Sequence, residues 1–186
     1  GCRNLQLDDC TWGAIVGDAA KLRYKSLGID LDEVKSKLLA VNNLALEGKP
    51  EDMVITSHIC RGNYHSTFFA SGAYDSVADY VFAKENVDAL FLEYDDERSG
   101  GFAPLAKVSG DKKIVLGLIT TKSSVLEDKK AVIERIHEAA KYVPLDRLCL
   151  SPQCGFASCE IGNKLTEEEQ WAKLKLVKEI AEEVWR

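Results

Sequence analysis

The 186-residue sequence has no run approaching 18 apolar residues, no Cys-x-x-Cys pair, no basic excess, no linker and no low-complexity segment. Each absence excludes something. Without a long apolar run, no segment reads as a membrane-spanning helix. The opening Gly1-Cys2-Arg3-Asn4 has neither the charged region nor the apolar stretch of a secretion signal, and Leu5 stands where a myristoylation signal wants Ser or Thr. A cytoplasmic location is therefore expected. Lys and Arg total 24 against 30 Asp and Glu, a net charge of -6, so there is no basic stripe for nucleic acid or an anionic membrane. The six cysteines, with no secretion signal beside them, read as reduced thiols rather than a disulfide framework. The chain starts at Gly, not Met, which fits a trimmed terminus or an internal point of a longer sequence.

What is present is an ordinary globular composition, 46% hydrophobic and 29% charged. A chain of this size buries about 70% of its unfolded surface, so it needs no metal merely to stay folded. A metal would serve chemistry. Five apolar segments rich in β-formers recur: Asn4 to Asp8, Met53 to Cys60, Ala89 to Tyr94, Lys113 to Thr120 and Arg147 to Ser151. They are near-continuous rather than alternating, as strands covered on both faces are. Between them lie helical patterns. Asp32 to Glu47 carries Val34, Leu38, Val41 and Ala45 on one stripe, and Gly48-Lys49-Pro50 stops it. Asp75 to Lys84 and Glu127 to Tyr142 follow, the latter with Val132, Ile133, Ile136 and Ala140 in line. Thr166 with Glu169 forms a capping box before a last helix whose buried face is expected at Trp171, Leu174, Val177, Ala181 and Val184. The alternation predicts one α/β domain over residues 1–186, built on a parallel sheet.

In such folds ligands gather at the carboxyl ends of the strands, so the residues that end each apolar segment are the informative ones. His58 and Cys60, two apart on a strand, point to the same side. Glu93 and Cys154 end later strands and can complete a set of four. Two thiolates, an imidazole and a carboxylate suit Zn2+ in tetrahedral geometry. Spacing alone leaves other readings open. A single Cys at a strand end is commonly a small buried hydrophobe and a single His a satisfied polar residue. Cys60 with His58 can also be read as nucleophile and base, although nothing local supplies a third orienting group.

Ser57-His58-Ile59-Cys60-Arg61-Gly62-Asn63, Phe91-Leu92-Glu93-Tyr94-Asp95 and Ser151-Pro152-Gln153-Cys154-Gly155-Phe156 resemble the C-terminal catalytic barrel of cobalamin-independent methionine synthase. The closer likeness is to short bacterial homologues that lack that enzyme's N-terminal barrel. It runs from Leu5-Gln6-Leu7-Asp8 to the last helix. The resemblance implies zinc held by His58, Cys60, Glu93 and Cys154, with Asp8 holding the amino group of homocysteine. It implies methyl transfer from a methylated folate to homocysteine sulfur, making methionine. Zinc would convert the protonated thiol into a thiolate, and Glu93, the hardest donor, is the candidate to loosen when that thiolate arrives. The family's His that is proposed to give a proton to the folate is replaced here, by alignment, with Lys122. The other folate and homocysteine contacts lie on strands before Leu5.

A complete (β/α)8 barrel needs about 250 residues. Five units are present here, and the resemblance makes them the fourth to eighth strands, leaving open edges. A homo-oligomer, or the remainder of a longer chain, is expected to cover them. Two other functions stay open: zinc-dependent methyl or alkyl transfer between another donor and another small thiol, and a non-catalytic zinc-binding barrel fragment. The loop from Tyr94 through Asp95 and Arg98 to Ser99-Gly100-Gly101 follows Glu93 and could line the substrate mouth, but each residue taken singly reads as part of an exposed loop with solvated charges. Cys2, Cys10, Cys149, Cys159, His65 and His137 read as packing or chance.

Overall fold

The computed structural model describes residues 1–186. Five strands, β1 (Asn4–Asp9), β2 (Val54–Ile59), β3 (Ala89–Glu93), β4 (Lys113–Ile119) and β5 (Leu148–Pro152), form one sheet in chain order. Every pairing is parallel. Each strand lies within about a residue of its sequence expectation, because long apolar segments flanked by polar ends leave little choice of register.

The helices are α1 (Cys10–Ala14), α2 (Asp18–Ser26), α3 (Leu31–Ala45), α4 (Asp75–Ala78), α5 (Val81–Lys84), α6 (Lys129–Ala139) and α7 (Glu167–Val184). None is long and apolar enough to cross a membrane. Strand periodicity sends Ile55, Ile59, Leu90, Leu92, Ile114 and Leu116 to one face, where they are buried in a single core with the helices. The opposite face carries Gln6, Asp8, Thr56, His58, Phe91 and Ser151. Residues of the two edge strands, Gln6 and Asp8 on β1 and Ser151 on β5, line one cleft, so the sheet curls. It does not close, since β1 and β5 do not pair. This is an arc of a TIM-type α/β barrel with two open edges, and Leu5 and Val54 at the β1 side are about half exposed.

Helix starts follow local chemistry. Asp9, Asp30 and Asp128 cap α1, α3 and α6 with their carboxylates, and Thr166 with Glu169 makes the expected capping box on α7. The helix faces needed correction. Trp171 is 60% exposed, its indole N–H donating to Glu167, while Lys173, Leu176 and Ile180 make the buried stripe. Lys173 can turn inward because its ammonium donates to the Val125 carbonyl at 2.6 Å and to Glu127 at 2.9 Å. On α3, Val41 is exposed and Lys35 buried. Polar groups decide that face too: Lys35 reaches Asp32, and Asn42 binds partners beneath the helix. The segment from Asp75 to Lys84 is two short helices, α4 and α5, rather than one. Asp79 and Tyr80 separate the two, and Tyr80 packs its ring by Trp12.

One buried acid lies on the helix side of the sheet. Glu85 is wholly buried, and the Asn42 amide donates both to its Oε1 at 2.8 Å and to Asp9 at 2.9 Å. Burial pushes the Glu85 carboxyl above its usual range, against the opposing pull of Asn42. A carboxyl raised in the folded state keeps a proton that the unfolded chain gives up. The stability it contributes is therefore full below about pH 4 and falls as pH rises through the folded value. Glu85→Gln removes that slope. In urea titrations the variant should match the wild type near pH 4 and gain on it progressively toward pH 7; a constant difference would place the slope elsewhere.

Candidate metal centre

One side-chain donor each from His58, Cys60, Glu93 and Cys154 lies within 4.8 Å of the others. The fold explains the convergence. His58 sits on β2 with Cys60 just past its end, Glu93 is the last residue of β3, and Cys154 follows β5. All four stand at the carboxyl edge of a parallel sheet whose curl turns those ends toward one another. Two loops are then tied across the arc. The Asn63 amide donates to the Gly155 carbonyl at 2.7 Å and to Ser158 at 2.8 Å, and Asn163 donates to Asn63 at 2.9 Å. Gln153 accepts from the Thr121 N–H and hydroxyl, each at 2.8 Å. These bonds draw the Cys154 segment to the Cys60 segment.

The donors suit a soft-to-borderline cation. Tetrahedral zinc wants neighbouring donors about 3.3–3.8 Å apart, a modest closing of the observed spread. His58 Nε2 is buried with no hydrogen-bond partner and stands 3.6 Å from Glu93 Oε1. An orphaned imidazole nitrogen facing a carboxylate and two sulfurs is what a metal ligand looks like without its metal. Burial opposes charge on His58, but neighbouring Cys154 and Glu93 outweigh it and raise its pKa. The Cys154 thiol is pulled down, first by the Cys60 thiol that it accepts from and then by His58. Cys60 is pushed up correspondingly.

Glu93 is fully buried and held from several sides. Its Oε1 accepts the Arg61 N–H at 2.9 Å, and its Oε2 accepts from Arg98 at 3.0 Å. Its own N–H donates to the Tyr74 hydroxyl at 2.9 Å, and the Arg61 guanidinium stacks over the Tyr74 ring. Burial raises the Glu93 carboxyl, with the Arg61 N–H, Lys122 and His58 opposing. Lys122, just past β4, has an ammonium nitrogen that is buried and unpartnered. Burial lowers it, against the pull of Glu93 and Asp95. Asp8 pairs in register with His58 and lines a cleft of about 390 Å³ together with His58, Phe91 and Cys154.

The profile described as "Cobalamin-independent synthase, Catalytic domain" matches residues 19–183. The chain belongs to this family. Two Bacillus subtilis relatives, the uncharacterised proteins YxjG and YxjH, are 51% and 53% identical over 187 residues. The chain spans about half the length of these curated relatives, 50% of each. A crystal structure of a candidate vitamin-B12-independent methionine synthase from Listeria monocytogenes is 44% identical, with a TM-score of 0.77 over 100% of this chain and 49% of that one. A B12-independent methionine synthase from a Shewanella strain, solved with selenomethionine, is 23% identical with a TM-score of 0.73 over 99% of this chain and 49% of that one. At that identity the likeness bears on the fold alone.

The structure brings His58, Cys60, Glu93 and Cys154 together, and it adds residues that the sequence hid. Arg98 is not a solvated loop residue. Its side chain is 5% exposed, binds Glu93, Asp95 and Asp96, and lies over the Phe68 ring. Tyr94 and Ser99 are fully buried. Cys10, assigned to chance, lies beside Asp8 and Cys60, with their donor atoms within 4.8 Å of one another. Burial, more than the neighbouring Asp8 and Asp9, pushes its thiol up, with Cys60 opposing. Of the other residues set aside, Cys2 and His137 are exposed, Cys149 and Cys159 are half-buried, and His65 contacts the Gly162 carbonyl.

Proposed function

We propose that this chain carries the catalytic portion of a zinc-dependent methyltransferase that methylates the thiol of homocysteine or a related small thiol, using a methylated folate or related donor. One observation carries the reading: two thiols, an imidazole and a carboxylate converge at the carboxyl edge of the barrel arc, in a member of this family. His58, Cys60, Glu93 and Cys154 would hold the zinc. When bound, zinc lowers the acceptor thiol's pKa and presents it as a thiolate at neutral pH.

The chain's own residues have distinct tasks. Asp8, exposed at the cleft opposite His58, offers a carboxylate to the acceptor's ammonium group. Arg61 and Arg98 fix Glu93 by its two oxygens, so that it is aimed without being free to rotate. As the methyl group leaves the donor nitrogen for sulfur, that nitrogen needs a proton. Lys122 Nζ can supply one: burial lowers its pKa toward the working range, and no hydrogen bond holds the ammonium back. A lysine here also favours a second reading, in which the donor is not a folate but another methylated or alkylated carrier.

Elemental analysis of the purified chain and a Cys154→Ser variant tests the set. About one zinc per chain is expected in the wild type and well under half of that in the variant. Equal zinc in both, or full methyl transfer by a metal-free preparation, would overturn the reading. Tight zinc with no transfer from any donor would favour a non-catalytic binding protein.

A further inference from the structure

Cys10 and Cys60 are a thiol pair of which the four-donor set uses only one member. Their sulfurs lie within 4.8 Å of each other. The backbone arranges this. Asp9 and Ile59 are register partners, and the Cys60 N–H donates to the Asp9 carbonyl at 3.3 Å, so Cys10 and Cys60 are the next pair along. Neighbouring strands run about 4.8 Å apart, inside the Cα range of about 4.4–6.8 Å over which two cysteines can be bridged. Gly13 lets α1 press directly against the Cys60 carbonyl, which holds Cys10 in place from the helix side. Cys10 is exposed and Cys60 is buried, so a reagent in solution meets the pair through Cys10.

We propose that Cys10 and Cys60 form a reversible disulfide that withdraws Cys60 from the donor set, making the site responsive to disulfides of small thiols. The consequence for metal rests on the zinc reading above; the bridge itself rests on the two thiols alone. The oxidising equivalents come from a small disulfide, RSSR. One protein thiol attacks it, forms a mixed disulfide and releases the first RSH. The second attacks the protein sulfur of that mixed disulfide and releases the second RSH. One S–S bond replaces another, both thiol protons leave on RSH, and the pair gives up two electrons. Excess small thiol reverses both steps. Cys154 is the competing partner, since its sulfur also neighbours Cys60. Two facts favour Cys10: it is the exposed member of the three, and it lies outside the four-donor set and is free to react while that set is assembled.

The test incubates the zinc-loaded chain with hydroxyethyl disulfide, follows zinc release with a chromophoric chelator, and maps linked peptides by mass spectrometry after non-reducing digestion. A Cys10–Cys60 linkage appearing together with zinc release, both reversed by dithiothreitol, is expected. Cys10→Ser should bind zinc as the wild type does and release it at least about five-fold more slowly under the disulfide. A Cys60–Cys154 linkage in the wild type, or unchanged release from Cys10→Ser, would overturn the proposal. A chain that holds no zinc yet still forms the Cys10–Cys60 linkage would support the bridge and count against the zinc reading instead.

Discussion

Gly13→Ala should lower stability by about 3 kcal/mol or more and displace Cys60 with it. A Cβ built at Gly13 falls 2.0 Å from the Cys60 carbonyl oxygen and 3.0 Å from its carbon. Nothing flexible is in the way to yield, because both obstacles are backbone. The carbonyl follows the end of β2 and sits under α1, where Trp12 is fully buried and Asp9 caps the first turn. Either α1 must lift out of its packing or the Cys60 peptide must move, and the second option shifts a proposed metal donor by more than such a site tolerates. The loss should therefore appear twice, as a lower urea midpoint and as reduced bound zinc. Gly101→Ala is the control, since nothing lies within 4 Å of a Cβ there. It should change neither. If Gly13→Ala keeps both wild-type values, α1 is not wedged against Cys60 as described.

The same region shows which parts of the molecule could be read from sequence. The five strands were legible because each is a short segment rich in β-formers that ends in polar residues, although the face with Gln6, Asp8, Thr56 and His58 is polar rather than covered. His58, Cys60, Glu93 and Cys154 were legible as strand-end residues, and their convergence was a consequence of parallel topology rather than of spacing. The helix faces were less legible. Val41 and Trp171 have the hydrophobicity of core residues, yet Lys35 and Lys173 took the buried positions because each found a carboxylate or carbonyl partner. Apolar periodicity has no means of registering such a partner. Gly13 and Cys10 were invisible for a related reason. Their importance lies in one backbone contact and one register step to Cys60, both made across about fifty residues of chain.

Arg98 is the most consequential residue that the sequence concealed, and Arg98→Met should cost about 3–5 kcal/mol. Asp95-Asp96-Glu97-Arg98 reads as a charged surface turn. The fold instead buries the guanidinium to 5% exposure between Glu93, 0% exposed, and Asp95, 1% exposed. One terminal nitrogen bonds both Glu93 at 3.0 Å and Asp95 at 2.8 Å, the other takes Asp96, and Nε is buried without a partner. Removing the cation leaves two buried carboxylates close together, with Lys122 still acting on both. That penalty, not the lost contact, accounts for the size of the effect. The origin can be separated by a double-mutant cycle. If the cost is uncompensated charge, adding Glu93→Gln to Arg98→Met should recover at least about 1 kcal/mol relative to additivity, and Arg98→Lys should lose less than Arg98→Met. Strict additivity, or an Arg98→Met urea midpoint equal to that of the wild type, would mean that Glu93 is held by Arg61 and Tyr74 alone. In that case Arg98 would contribute packing over Phe68 rather than the orientation of the carboxylate.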